Sequence, residues 1–351
     1  MWRRLLCHHC IEGALHIGCF DPEAGSWTHP DTTQCISADA SWIRSATRYD
    51  RSVVIEDPNT KIKRYDPDAY FHHYKNKQPT KVPGREVVML TCRTKHGNER
   101  IVLDFDFMPH KNHHSRKDRN DADFGVDMLA DLIDEHATQL RGLRAFVYDM
   151  AMDSEAIDDT LALGVIPIVK TPKLAGGKYR QGNLGIHTFT CRDGKTRERE
   201  IKTVNGSMCV KFPNGQGVQM AIPLERANFR WGDETKQGNT AYLKVRIPRN
   251  SGAPRRFKGA TASVRLNSTP EEIHTSPHTR RTRSLRPIPE ADPTFKVHGV
   301  REDIESTFGD LKYRIRQKLC SYKEDRFRFN VSCYQLLRLS RTLSAFDSRS
   351  P

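Results

Sequence analysis

The chain is poor in long apolar runs. None approaches the roughly 20 residues a helix needs to cross the hydrocarbon core of a bilayer. The basic start, Met1-Trp2-Arg3-Arg4-Leu5-Leu6, runs straight into Cys7-His8-His9-Cys10, where a secretory leader would need an apolar stretch of about 7 to 15 residues. A soluble, intracellular protein with no membrane partner is therefore expected. A second C-x-x-C pair is also missing: Cys19 and Cys35 do not repeat the spacing of Cys7 and Cys10, so a four-ligand zinc site of the usual form is not completed. Nine scattered cysteines, an odd number, suit reduced thiols better than a disulfide framework. The clusters His72-His73 and His113-His114 read as solvated loops. No Ser/His/Asp or Cys/His constellation stands out, which leaves covalent nucleophilic catalysis without a candidate. Gly194-Lys195-Thr196 lacks the first glycine of a phosphate loop, because Phe189 occupies that place.

What is present is positive charge. Lys and Arg number 57 against 43 Asp and Glu, giving a formal net charge of +14 and a pI near 9.4. Such a surface favours a polyanionic partner, because neutralising phosphates releases condensed counterions. With 351 residues, 36% of them hydrophobic, the chain can bury one large core or two modest ones.

Periodicity divides the chain. Residues Cys35 to Ile43 (CISADASWI) are β-compatible and carry Asp39 in their middle. Glu86–Arg93 and Arg100–Phe107 form a hairpin pattern around the polar turn Lys95-His96-Gly97-Asn98. In its second strand Leu103, Phe105 and Phe107 alternate with Asp104 and Asp106, so the two acids share one face, which reads as solvated. A helix follows with Asn120 or Asp121 as its cap and Phe124, Met128, Leu129, Leu132 and Ile133 at helical spacing. The apolar run Leu143–Met150 reads as a strand ending in Asp149. A helix from Asp153-Ser154 to Leu163 stops at Gly164, and Val165–Val169 forms an edge strand marked by Pro167. This order suits an α/β sheet with Asp39 and Asp149 near the carboxyl ends of its central strands. From about Gly185 to Pro223 the turn pairs Asp193-Gly194, Asn205-Gly206 and Asn214-Gly215 mark a β-meander. Trp231 reads as packed beneath it, with stacking on an unpaired base as the alternative. From Pro248 to about Pro293 the Pro-, Ser-, Thr- and Arg-rich composition, with Arg280, Arg281, Arg283 and Arg286 close together, reads as a flexible basic loop.

A last helical region begins near Val300. At about 100° per residue, Ile304, Phe308, Leu311, Ile315 and Leu319 fall on one face. Arg301, Glu305 and Lys312 fall within about 40° of one another at its border. On periodicity two readings stand. One is a solvated ladder of ion pairs. The other is a carboxylate kept ionised between two cations beside a buried face. Tyr334, Leu336, Leu337, Leu339 and Leu343 then mark a final packing helix.

The pattern His298-x-x-Arg301-x-x-x-Glu305-x-x-x-x-x-x-Lys312 resembles the Tyr-Arg-Glu-Lys signature of DDE transposases from bacterial insertion sequences, with His in the Tyr place. The segment Val147-Tyr148-Asp149-Met150-Ala151-Met152-Asp153-Ser154, followed by Gly164-Val165-Ile166-Pro167, resembles that family's second-aspartate region. Ser37-Ala38-Asp39-Ala40-Ser41 resembles its first-aspartate strand. The resemblance implies an α/β fold, with an RNase H-like mixed sheet flanked by helices and a β-rich insertion before the glutamate-bearing helix. It also implies the division 1–34 (residual N-terminal segment), 35–172 (first part of the core), 173–293 (insertion and basic loop) and 294–351 (C-terminal helices of the core). Asp39, Asp149 and Glu305 would be catalytic and would bind two Mg2+ ions, for which Mn2+ substitutes. Arg301, Lys312 and His298 would contact DNA, and Lys173 to Arg180 and the arginine loop would track its backbone. The implied activity is metal-dependent cleavage at transposon ends and strand transfer. The implied partners are the double-stranded DNA of the terminal inverted repeats and of the target, and a second copy in a homodimer. The implied location is cytoplasmic, at the bacterial nucleoid. A truncated, inactive remnant that still binds DNA and a stand-alone RNase H-like nuclease are the alternatives.

Overall fold

The computed structural model describes residues 2–45, 70–73, 81–95, 99–109, 120–150, 152–174, 178, 180–214, 216–232, 238–314, 318–319 and 324–349. Along the chain the elements are α1 (Trp2–His16), β1 (Cys35–Ser45), β2 (Tyr70–His73), β3 (Lys81–Arg93), β4 (Arg100–Phe107), α2 (Asp121–His136), β5 (Ala145–Val147), α3 (Ser154–Ala162) and β6 (Ile166–Ile168). There follow β7 (Gln181–Thr190), β8 (Thr196–Val204), β9 (Ser207–Pro213), β10 (Gln219–Pro223), β11 (Glu225–Trp231), β12 (Ala241–Arg246), β13 (Thr261–Arg265), α4 (Pro270–Thr275), α5 (Arg301–Arg314), β14 (Lys318–Leu319) and α6 (Glu324–Asp347). The fold is mixed α/β, with two seven-stranded sheets among the described residues. Two compact units divide it: residues 1–18, 38–128 and 302–351, and residues 19–37 and 129–301.

In the first unit β3 and β4 form the expected hairpin, Val87 opposite Phe107 and Arg93 opposite Arg100. Of its expected turn, His96 to Asn98 lie outside the described residues. A one-residue bulge between Leu90 and Thr91 interrupts the ladder. Buried Gln335 of α6 donates to the carbonyls of Val102 and Leu103 at that irregularity, at 3.1 and 2.9 Å, so the bulge does not leave them orphaned. The core joins Ile43 of β1, Val87 and Met89 of β3, and Val102, Phe105 and Phe107 of β4. Ile304, Phe308 and Leu311 of α5 and Phe327, Val331 and Tyr334 of α6 complete it. The apolar stripe of α5 is therefore its buried face, as the periodicity requires. The helix is described as far as Arg314; Ile315 lies outside the described residues, and Leu319, expected on the helix, belongs to β14, which pairs in parallel with β1.

Two expectations in this unit change, and one cysteine pair packs. Asp104 and Asp106 do not line a solvated face. Arg3 of α1 reaches Asp104 at 2.5 and 2.9 Å and Asp106 at 2.5 Å, and Arg328 of α6 reaches Asp106 at 2.6 Å. Helices cover β4 on its acidic face, and their arginines neutralise the acids there. Cys7 and Cys10 lie one helical turn apart on the buried side of α1, and burial pushes the Cys10 thiol up to about 12, so the pair packs as small apolar side chains. His72 and His73 sit in β2, not in a loop, whereas His113 and His114 lie outside the described residues. The helix expected from Asn120 is α2. Asn120 Oδ1 accepts from the Asp123 amide at 2.9 Å, and Asp123 reaches back to the Asn120 amide, a reciprocal cap.

In the second unit the first residues of β1 pair in parallel with β5, Cys35 to Ser37 opposite Ala145 to Val147. β6 pairs in parallel with β5 on its other side, with Pro167 opposite Phe146. Asp153 caps α3 by accepting from the amides of Glu155 and Ala156, and Gly164 ends it at φ +80°. The antiparallel sheet runs β10-β9-β8-β7-β13-β12-β11. Its first four strands are the expected meander. Asn205 and Gly206, at φ 51° and 76°, make the two-residue turn from β8 to β9, the left-handed pair such a hairpin demands.

The segment read as a flexible basic loop is instead part of this sheet and its cover. It supplies β13, which pairs with both β12 and β7, and α4, closed by a capping box between Thr269 and Glu272. The arginines between residues 280 and 286 are used internally. Arg281 grips Glu272 at 2.9 Å and Arg280 lies 3.4 Å from Asp158. Arg283 meets His278. Arg286 is 3% exposed and donates to the Thr282 and Leu285 carbonyls. Polar composition misled here because ion pairing buries arginine as completely as apolar packing buries leucine. Trp231 packs edge-on to Trp27 at 5.2 Å and to Phe229 at 4.9 Å, with Arg144 over Trp27 at 4.4 Å.

Candidate functional site

In the second unit the short β5 ends at Val147, and Tyr148 and Asp149 leave it as the chain turns toward α3. Tyr148 is buried, whereas the Asp149 side chain keeps 34% of its exposure. A 3-10 segment from Pro293 to Val300, capped by Asp292, which accepts from the Thr294 amide, brings His298 onto this strand end. His298 Nε2 lies 3.1 Å from the Tyr148 carbonyl oxygen, and its ring stacks on Phe295 with centroids 4.9 Å apart and planes 10° apart. His298 is thus buried, and its ring holds the strand end in place of facing solvent. Burial lowers its pKa, opposed by the hydrogen bond to Tyr148, so the neutral imidazole, donating from Nε2, is the favoured form. Arg301, the first residue of α5, places Nη2 3.9 Å from Asp149 Oδ2. Two residues of the C-terminal motif therefore converge on the dipeptide Tyr148-Asp149, some 150 positions upstream.

In the first unit the alternation of β1 sets Asp39, Ser41 and Ile43 on one face. Ile43 joins the core with Ile304, Phe308 and Leu311 of α5, so this is the face that α5 covers. Lys312 Nζ donates to Ser41 Oγ at 2.7 Å. Burial lowers the Lys312 pKa and Arg44 adds to the effect, while the charge of Asp39 opposes it. Asp39 Oδ1 accepts from the Ala40 amide at 2.9 Å. Glu305 lies two helical turns before Lys312, on the same stripe of α5, and is exposed. Lys173 is described, but much of the stretch to Arg180 is not, and the backbone-tracking expectation for that stretch lies largely outside the described residues.

The donors offered by Asp39, Asp149 and Glu305 are all carboxylate oxygens, and none of the three residues is buried. Hard oxygen donors that hydrated ions can reach suit Mg2+, which binds through one or two carboxylates and keeps several waters. The cysteines, by contrast, are mostly buried. Three participants escaped the sequence-level reading. Ser41 had a readable signal, its period-two relation to Asp39. The Tyr148 carbonyl and the ring of Phe295 had none, since a main-chain acceptor and a stacking partner acquire their roles only when distant segments meet.

A scan against protein-family models finds no match to the chain, and a search of curated proteins finds none either.

Proposed function

We propose that the protein is a DNA transposase that cleaves transposon ends and transfers the freed strand into target DNA. The observation that carries this is the convergence of His298 and Arg301 on Tyr148-Asp149. Both sequence segments resemble one family, and some 150 residues separate them. Coincidental resemblance has no reason to bring them together. In this reading Asp39, Asp149 and Glu305 bind the metal, and His298 positions the Asp149 backbone through the Tyr148 carbonyl. Arg301 lies beside Asp149 and would turn its guanidinium fork to a phosphate. Lys312, held by Ser41, supplies a second positive charge beside Asp39. Mg2+ or Mn2+, when bound as a pair, supplies Lewis-acid stabilisation of the attacking and leaving oxygens of an in-line phosphoryl displacement. No covalent protein intermediate is required.

The test is end cleavage and strand transfer on DNA carrying the element's terminal repeats, in Mg2+. Glu305→Ala is expected to abolish both while DNA binding survives. Cleavage at the wild-type rate by that variant would remove the site assignment. Cleavage without strand transfer by the wild type would leave a nuclease in place of a transposase.

A further inference from the structure

The arginines that the sequence offered for DNA, between residues 280 and 286, are committed to Asp158, Glu272, His278 and main-chain carbonyls. Other cations gather elsewhere in the second unit, at the β7–β8 end of the antiparallel sheet. Along β8 the odd positions Arg197 and Arg199 share a face with Ile201 and Thr203, while the acids Glu198 and Glu200 take the opposite face. Period-two alternation thus leaves this face with one sign of charge. It is built over two aromatic rings, Phe212 and Phe257, whose centroids are 5.0 Å apart. The guanidinium of Arg199 lies 4.5 Å from the Phe257 centroid and 5.6 Å from that of Phe212. Arg256 and Arg197 lie 5.6 and 6.0 Å from Phe257. Stacking on a fixed ring limits each head group's freedom before any ligand arrives.

Two more arginines join at the turn that follows Phe257. Gly259 has φ +80°, and the Nε atoms of Arg192 and Arg249 lie 3.2 and 3.6 Å from the point a Cβ would occupy there. The missing side chain is what lets two guanidinium groups approach the same turn. Both residues are exposed. Among the described residues, no carboxylate lies within ion-pair distance of Arg192, Arg249 or Arg256. Asp193, held by Arg197 at 2.8 Å, offsets part of the charge locally. Like charges crowded this closely repel unless an anion lies between them.

We propose that this arginine face, anchored by Arg192 and Arg249 at Gly259, is a docking surface for the phosphate backbone of duplex DNA. It rests on the DNA partner proposed above but not on the metal chemistry. Guanidinium forks match phosphate oxygens two at a time, and contacts to phosphate read backbone and not sequence.

The test is fluorescence anisotropy of a labelled duplex of arbitrary sequence, titrated with the full chain at several salt concentrations, without Mg2+. The double variant Arg192→Gln/Arg249→Gln is expected to bind more weakly on every sequence alike. Its slope of log affinity against log salt should be shallower by about 0.9 per lost phosphate contact, just under two in all. Arg192→Lys/Arg249→Lys, which keeps both charges, is expected to retain most of the slope. Unchanged affinity and slope in the Gln variant would overturn the proposal, as would equal losses in the Gln and Lys variants. Loss of binding to phosphatidylserine vesicles with DNA binding intact would overturn it in favour of an acidic lipid surface. None of these readings requires cleavage, so a failure here and a failure of the Glu305→Ala test are separate results.

Discussion

His298 shows how much one residue's role depends on what covers it. In the sequence it stands in a signature and reads as a DNA contact; in the fold it is 7% exposed, bonded to the Tyr148 carbonyl and stacked on Phe295. A histidine whose folded pKa is depressed binds its proton more readily in the unfolded chain. Stability then decreases as pH falls through the unfolded value, about 6.5. Thermal melts between pH 8 and 5 should show this loss, and His298→Gln, neutral throughout, should remove its share of the slope. A slope identical in wild type and variant would mean that the ring is free to charge in the fold. Asp104 makes the same point for an acid. Burial raises its pKa, and the bonds and charge of Arg3 oppose the rise, so the charged strand position is neutralised internally and is not offered to solvent.

Among the elements, the hairpins were the most legible and the basic stretch the least. A left-handed pair such as Asn205-Gly206 is a local backbone requirement, so the residues that meet it announce the turn. Gly206→Ala makes that requirement measurable. Its Cβ would lie 2.7 Å from Thr171 Oγ1 and 2.9 Å from Arg286 Cγ, at φ 76°. A loss of about 1–3 kcal/mol is expected, read as a lower denaturation midpoint, and a midpoint equal to wild type would contradict the geometry. The segment after Pro248 has no such local marker. Thr261–Arg265 becomes an inner strand because β12 and β7 stand on either side of it, and nothing within five residues records those neighbours. The helix α5 lies between these cases. Its apolar stripe predicts which side is buried, but the strand at Lys318–Leu319 has no local signal, because β14 pairs with a strand some 270 residues earlier.

For the whole molecule, a net charge of +14 says that a polyanion is a favourable partner but not where it lies. Charge counts sum over all arginines, including those consumed by ion pairs such as Arg280 with Asp158 and Arg226 with Asp292. Binding and chemistry should separate under chelation. EDTA is expected to stop end cleavage and to leave duplex binding in place, measured on the same preparation by gel and by anisotropy. If binding fell in step with cleavage, the metal would be holding the DNA as well as serving the reaction.

The sequence by itself determined what is written in short range. The alternation of β1 fixes Asp39 and Ser41 on one face, the caps at Asn120 and Asp153 fix two helix starts, and the glycine turns fix the meander. These are set by backbone dihedrals and by periods of two or 3.6 residues, which neighbouring residues carry. Only the tertiary structure decided which charges are available. Asp104 and Arg286 are neutralised or buried, while Arg192 and Arg249 stand together at Gly259 with no ion-pair partner among the described residues. Whether a charge is spent depends on partners a hundred residues away, and its energy depends on how much water their meeting removes.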